Sequence, residues 1–456
     1  MSGAAGGALP PLTVDGEPVA PRYLARLVSR TAAALAAAGA GPGRGAALAC
    51  DHPLTAAASA VAAELVGAPL LLDGAAPVRR IAPAAVITCG AGGEPVVGPA
   101  GPGPAVALPE ETAAVFWTSG SSGDPKAVAV PRSALLHQGA ATGRRMGVTP
   151  RDGLVLPLPL RHAYGFSVLQ VWRATGAHLF AESGFHLRRV LSLLDGAAAT
   201  SLDGVPSMYR MLAAEAVKDR DVARLLGSLR IRGCGGDVLT EALYDEFLRV
   251  TGGALHDGYG LSEAGPNVAL NAPGDVRRGA AGRLLDGVRA RIAGPAGEIQ
   301  VSSPSLMLGY LGAESGELSR EAFTDDGWLR TGDTGRLTDG GWLTVSGRIK
   351  EVLVVHGETV APTVVEDAVR TAAGVRDAAV VGVRGGDRGD VVWVFVESAD
   401  GDRSGVAGRV VEVCRRALPP QIRPRTVRVL TSLPRTGSGK HDRVRLRAWA
   451  AGEAAA

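Results

Sequence analysis

Lysine is nearly absent from this chain. Of 48 Lys plus Arg residues only four are lysines: Lys126, Lys218, Lys350 and Lys440. Arginine serves for general surface charge, so a retained lysine marks a candidate place for a compact, mobile point charge. Lys218 sits in a polar stretch and reads as ordinary surface; the other three fall inside motifs. Aromatic residues are also scarce, at 4%, which argues against stacking platforms for single-stranded nucleic acid. There is no excess of either charge: 48 basic and 45 acidic residues leave +3, too balanced to imply a nucleic-acid partner. The four cysteines, Cys50, Cys89, Cys234 and Cys414, include no CxxC pair. A zinc site or disulfide framework is therefore not expected, and a reducing compartment fits. The eight histidines are scattered, and no G-x-S-x-G marks a serine hydrolase. The longest apolar stretch, 56–72, is interrupted by Glu64 and reads as a buried helix and strand, not a membrane span. The first 20 residues hold no charged segment followed by an apolar one, so no secretory signal is expected. The expectation is a cytoplasmic protein with no membrane or nucleic-acid partner.

What is abundant is glycine: 63 of 456 residues, about twice the usual share of roughly 7%. It carries no G-X-Y period and is spread through turns and a few rich loops. The length allows two or three domains and a large core. Residues 21–38 predict an amphipathic helix, with Pro21 at its first position, Leu24, Leu27, Val28 and Leu35 on one face, and Gly39 as the stop. Residues 91–110 read as a Gly/Pro-rich loop. From 115 to about 345, apolar strands such as 154–158 alternate with helical patterns such as 166–174, which favours an α/β architecture. Beyond 350 the texture changes to a smaller scale. Runs 352–355, 378–383 and 391–396 read as strands and 364–373 and 406–417 as helices, enough for a small α+β domain.

Five segments carry chemistry. Thr118-Ser119-Gly120-Ser121-Ser122-Gly123-Asp124-Pro125-Lys126 follows a strand. Small residues let backbone N–H groups close around an anion, hydroxyls add donors and Lys126 adds charge; without a terminal Gly-Lys-Ser/Thr it is not a Walker A loop. Asp257-Gly258-Tyr259-Gly260-Leu261-Ser262-Glu263 combines permissive glycines, an aromatic face and Glu263, a hard oxygen ligand suited to Mg²⁺ on phosphates. In Gly327-Trp328-Leu329-Arg330-Thr331-Gly332-Asp333 a carboxylate on a tight turn can accept from a ribose diol, although a capped turn accounts for it equally well. Ser346-Gly347-Arg348-Ile349-Lys350-Glu351 is followed by Gly357 and Pro362. Last, Pro434-Arg435-Thr436-Gly437-Ser438-Gly439-Lys440 places a lysine at the tip of a Gly/Ser loop, suited to delivering charge to a phosphoryl transition state.

In order and spacing, these five segments resemble the ANL superfamily of adenylate-forming enzymes: acyl- and aryl-CoA synthetases, peptide-synthetase adenylation domains and luciferases. The resemblance spans roughly residues 24–447. It implies a large N-terminal α/β domain of packed β-sheets with helices (1–346), a hinge (347–350) and a small mobile α+β C-terminal domain (351–456). It also implies a ligase that forms an acyl-AMP from ATP with Mg²⁺ and then passes the acyl group to the thiol of CoA or of a carrier-protein phosphopantetheine. By the resemblance, Thr118, Ser119, Gly120, Ser121, Ser122, Gly123 and Lys126 hold the β- and γ-phosphates. Ser262 stands where the family usually carries Thr against the α-phosphate, and Glu263 is the catalytic, metal-associated carboxylate. Gly235, Gly236, Asp237, Asp257, Gly258, Tyr259 and Gly260 match the adenine pocket, and Asp333 and Arg348 the ribose pair. Lys440 matches the lysine that bridges the substrate carboxylate and the α-phosphate. Lys350 falls at the hinge and Gly357 at the thiol tunnel.

The segment around His162, Tyr164 and Phe166 resembles the acyl-pocket motif, with His162 near the carboxylate; Val205, Ser207 and Cys234 complete the expected pocket. Amino-acid-activating relatives usually place an Asp within 161–166, and this chain has none. The resemblance implies a small-molecule acid substrate, aromatic or otherwise short. Asp237 sits where CoA ligases usually carry an uncharged residue, and Val354, Val355 and His356 replace the Lys-bearing segment of plant aryl-CoA ligases. The acceptor is therefore open between CoA and an acyl carrier protein. A diazotising enzyme that activates nitrite for an aryl amine and a non-catalytic adenylate-binding protein remain alternatives, as do a monomer and a homodimer.

Overall fold

A computed structural model describes residues 9–72, 81–100, 107–118, 126–196, 198–312, 315–355, 358–385, 389–399, 403–435 and 441–454. The chain divides into two compact units. The first comprises Met1–Arg291, Gln300–Thr331 and Leu337–Thr344; the second comprises Ile292–Ile299, Gly332–Arg336 and Val345–Ala456.

In the first unit, parallel strands such as Ala46–Leu48, Leu70–Leu72 and Gly153–Leu156 are buried on both faces and read as near-continuous apolar runs. One sheet runs in the order Gly309–Leu311, Lys126–Pro131, Thr112–Thr118, Leu70–Leu72, Ala46–Leu48, Ala85–Cys89, Pro95–Pro99. Its centre is parallel and its outer pairs are antiparallel. A second sheet has a parallel block in the order His256–Gly260, Ile231–Cys234, Ser201–Gly204, Gly153–Leu156, His178–Ala181, Leu12–Val14. Beyond His256–Gly260 it continues antiparallel through Asn267–Leu270 and Gly282–Leu284. The alternation of strand and helix therefore stops near 256, short of 345, and mainly antiparallel strands follow.

The amphipathic helix forms at Pro21–Ala37, and Leu24, Leu27, Val28 and Leu35 are buried. Helix Pro53–Leu65 is alanine-rich and buried nearly all round, as a helix without a polar face must be. Helices Arg132–Met146 and Ala163–Thr175 pack closely because Gly139 has no side chain: a Cβ there would lie 2.7 Å from the Gln170 carbonyl oxygen. The 91–110 segment is not all loop. A strand at Pro95–Pro99 pairs with Ala85–Cys89 at a sheet edge, and both its prolines sit at the strand ends. An edge tolerates the missing N–H groups that a central strand would not.

In the second unit, strands Val375–Arg384, Asp390–Ser398 and Thr426–Leu430 form one sheet. The two-residue period splits its core. Ala378, Val380, Val392, Val394 and Val396 join Val365, Val369, Val410 and Cys414, which come from helices Pro362–Arg370 and Val406–Ala417. Ala379, Val381, Trp393 and Phe395 join Leu446 and Ala450, from helix Arg443–Ala454. Among the described residues, no helix is long and apolar enough to cross a membrane.

Candidate active site

The carboxyl ends of adjacent parallel strands are where α/β sheets place ligands. Here Asp203 lies opposite Gly233, Gly204 opposite Cys234, and Cys234 opposite Asp257. Tyr164, in the first turn of Ala163–Thr175, donates its hydroxyl to Asp203 Oδ1 at 3.0 Å, and the Ser201 hydroxyl donates to Oδ2 at 3.1 Å. Glycine at 233 is required here: a Cβ would lie 2.4 Å from Asp203 Oδ1 and 3.2 Å from the Tyr164 oxygen. Gly235 and Gly236 continue the wall against the Tyr164 ring, with Val205 beside Gly236. Tyr164, Val205 and the glycine turn are thus neighbours, and Ser207 and Asp237 are exposed at its rim.

Cys234 departs from the expected pocket. Its side chain is 1% exposed and packs with Tyr209, Leu243 and Phe247. Alternation along Ile231–Cys234 turns Gly233 toward Tyr164 and sends Cys234 the other way, into the helices. Phe166 is also buried, edge-to-face with Phe116 at 5.6 Å. His162 is partly exposed. Burial, then the neighbouring Arg161, lowers its pKa against the opposing pull of Asp51, so the imidazole is neutral at pH 7.

Asp257 accepts from the Gly258 N–H at 3.0 Å, yet burial raises its pKa to about 8. A carboxyl whose pKa rises on folding contributes most stability below its unfolded pKa near 3.8 and loses that contribution as pH climbs through about 8. Asp257→Asn is therefore expected to gain on the parent in thermal midpoint steadily from pH 4 to 8 and to hold that margin above 8. Parallel melting curves across that range would contradict the assignment.

Thr118 and Lys126 pair across the hairpin that carries the hydroxyl-rich loop; Ser119, Gly120, Ser121, Ser122 and Gly123 lie outside the described residues. The Lys126 ammonium sits 4.7 Å from the centre of the Tyr310 ring, and the Tyr310 hydroxyl donates to Glu263 Oε1 at 3.0 Å. Tyr310 thereby links the lysine to the carboxylate, with a cation–π contact on one side. The turn Ser262–Ala264 is fixed from behind. Met307 donates its N–H to the Glu263 carbonyl at 2.9 Å, and buried Gln138 donates to the Ala264 and Asn267 carbonyls. Among the described residues no three acidic, His or Cys side chains form a metal cluster. A single carboxylate is the donor set that suits Mg²⁺ shared with phosphates, because that ion keeps most of its shell from water and phosphate oxygens. Tyr259, Gly258, Gly260 and Ser262 are partly or fully exposed on the same segment.

In the second unit Arg348 Nε donates to Asp333 Oδ1 at 2.9 Å, and Asp333 is 4% exposed. The expected ribose pair is thus in contact. Lys350 lies in the turn Ile349–Glu351 and lines a cavity of about 690 Å³ with Glu351, Arg384, Asp390 and Arg447. Gly357 and Lys440 lie outside the described residues. The ends of the Lys440 segment are fixed: Arg435 and His441 form a bridge, and the Asp442 N–H donates to the Pro434 carbonyl at 2.8 Å.

Sequence reasoning missed Tyr310, Gln138 and Asp203. Only Asp203 carried a signal, a carboxylate inside the strand Ser201–Gly204.

The AMP-binding enzyme family model matches residues 88–311, and the AMP-binding enzyme C-terminal domain model matches residues 364–440. A feruloyl-CoA synthase of an Amycolatopsis species is 31% identical over 349 residues, covering 73% of this chain and 68% of that protein. A sulfoacetate–CoA ligase of Cupriavidus necator is 29% identical over 361 residues, covering 74% and 67%. The chain thus spans about two thirds of the length of these curated relatives. The amide bond synthetase McbA of Marinactinospora thermotolerans superposes with a TM-score of 0.81 at 27% identity, covering 97% of each chain. With two matched domain models in the order of its motifs and a relative 31% identical over most of both chains, the chain belongs to the AMP-binding enzyme family, within the ANL superfamily of adenylate-forming enzymes.

Proposed function

We propose that this protein activates a small carboxylic acid with ATP and passes the acyl group to the thiol of CoA. The observation that carries this reading is the Lys126–Tyr310–Glu263 link, which brings the positive end of the phosphate hairpin to a lone metal-suited carboxylate. In the first step a carboxylate oxygen bonds to the α-phosphorus. The bond to the oxygen bridging the β-phosphate breaks, and pyrophosphate leaves with that electron pair. In the second, a thiolate sulfur bonds to the acyl carbon and AMP departs.

Thr118, Lys126 and the 119–123 hydroxyls and N–H groups hold the outer phosphates, and Ser262 the α-phosphate. Glu263 would hold Mg²⁺, which when bound neutralises phosphate charge. The Gly235–Asp237 turn and 257–260 receive adenine, Asp333 and Arg348 the ribose, and neutral His162 the acid's carboxylate. Lys440 supplies charge at the forming acyl–phosphate bond.

The test is acid-dependent pyrophosphate release with ATP and Mg²⁺ over benzoates, cinnamates and short fatty acids, each with and without CoA. One responding acid with its CoA thioester formed supports the reading; silence across the panel sinks it. The similarity to an amide bond synthetase favours a second reading of the acceptor, an amine in place of the thiol. Adding amines, a holo-carrier protein, or nitrite with an aryl amine to the same assay separates these outcomes.

We assign Lys350 to the hinge. Lys350→Pro is expected to keep pyrophosphate release in a single turnover and to lose thioester formation by about 10²-fold or more, because a fixed φ blocks rotation without touching the nucleotide. Equal loss of both half-reactions would remove Lys350 from this role.

A further inference from the structure

Asp203 is a carboxylate held by two hydroxyls. Among the described residues no Lys, Arg or His forms an ion pair with it; its oxygens accept only from the Tyr164 and Ser201 hydroxyls. A carboxylate offers about four acceptor positions, so about two remain open. Its neighbours Leu202 and Cys234 are each 1% exposed or less, yet Asp203 and Tyr164 both keep partial exposure. That exposure therefore faces away from the core, at the carboxyl ends of the parallel strands where Gly233, Gly235 and Val205 gather. Burial, against the two hydroxyl bonds, pushes the Asp203 pKa up, the mark of a carboxylate that would gain from another donor.

We propose that Asp203, with Tyr164, is a specificity-determining pair that selects acids bearing an N–H or O–H donor at the end distant from the reacting carboxylate. The inference rests on the acid-activating reading above. Tyr164 donates its only proton to Asp203, so with the carboxyl ionised the pair presents only acceptors and negative charge. An arylamine or a phenol satisfies it. An unsubstituted ring leaves desolvated acceptors unpaired, and a second carboxylate meets like charge.

The test is kcat/KM for pyrophosphate release over matched benzoates and cinnamates bearing amino, hydroxyl, hydrogen or carboxylate at the ring position opposite the acid group or adjacent to that one. A site built to bond such a donor rejects the analogue lacking it by as much as about 10⁴-fold, and we expect at least about 10²-fold here. Asp203→Asn keeps the shape and an acceptor for Tyr164 but removes the charge. It should lower the preference for the amino acid over the unsubstituted one by about tenfold or more, mainly through KM. Tyr164→Phe should lower the preference for amino and hydroxyl compounds together. The relative response to amino and hydroxyl acids in the parent tells which donor the pair reads. If the parent turns over acids and both variants keep its ratios, or if the diacid is preferred, the assignment is overturned while the adenylation reading stands. If no acid elicits pyrophosphate, the adenylation reading falls and this one with it.

Discussion

Lys440→Ala is expected to lower acid-dependent pyrophosphate release by about 10²–10³-fold, the range for removing one preorganised charge donor from a transition state. Its thermal midpoint should stay within a degree or two of the parent. Lys440 ends a Thr-Gly-Ser-Gly segment with no large apolar side chain to bury, so the alanine variant forfeits little packing. The residues on either side of it, Arg435 and His441, are bridged to one another. In a chain with four lysines among 48 basic residues, a lysine between glycine and histidine at this spot implies a demand for a flexible point charge. Lys440→Arg should rescue little, since a planar fork cannot replace a compact ammonium. A variant that retains parental release, or one that fails to fold, would end the catalytic assignment.

The second large effect is on stability. Asp377 is 4% exposed and accepts from Arg370 Nε at 3.2 Å, Arg435 Nη2 at 2.6 Å and His441 Nε2 at 2.9 Å. Arg370 also faces Glu366, which is 2% exposed and receives Arg443 at 2.6 Å and the Val380 N–H at 2.8 Å. Burial pushes Glu366 up in pKa, but Arg443 and Arg370 outweigh it and hold the carboxyl below its usual 4.5. That contribution is present above pH 4.5 and is lost as pH falls through the lowered value. Asp377→Ala strips a shared acceptor from two guanidinium groups and an imidazole. Removing one member of a buried ion pair costs about 3–5 kcal/mol, and the C-terminal unit should melt earlier by a corresponding margin. Hydrogen exchange at the Val380 and Val394 amides should show the loss in the three-stranded sheet. Because Arg435 and His441 bracket residues 436–440, pyrophosphate release should fall as well, even at temperatures where the variant is folded. Parental stability in Asp377→Ala would mean that the cluster is solvated and contributes little.

The segments at Thr118–Lys126, Ser262–Glu263, Asp333 and Arg348 could be singled out from sequence because each is a short run of residues whose chemistry is local. Glycines, hydroxyls and a lysine within nine positions constrain what that run can bind, whatever surrounds it. The first helix and the small α+β unit were legible for a similar reason, since their apolar periods are carried by contiguous residues. Pro95–Pro99 was not, because proline argues against a strand unless the strand lies at an edge, and edge position is a property of the assembled sheet.

What the sequence by itself determined is the family and the order of its motifs. What only the tertiary structure decided is which side chains meet across long separations. Tyr310 reaches Glu263 and Lys126 because its strand pairs with Lys126–Pro131. Asp203 meets Tyr164 because two parallel strands align Asp203 with Gly233 and leave room that any other residue would fill. Cys234 turned from pocket to core through the same alternation. These contacts are set by strand register and by which face of a strand is covered. Register is fixed by the burial of the whole sheet, a collective property that no single stretch of sequence encodes.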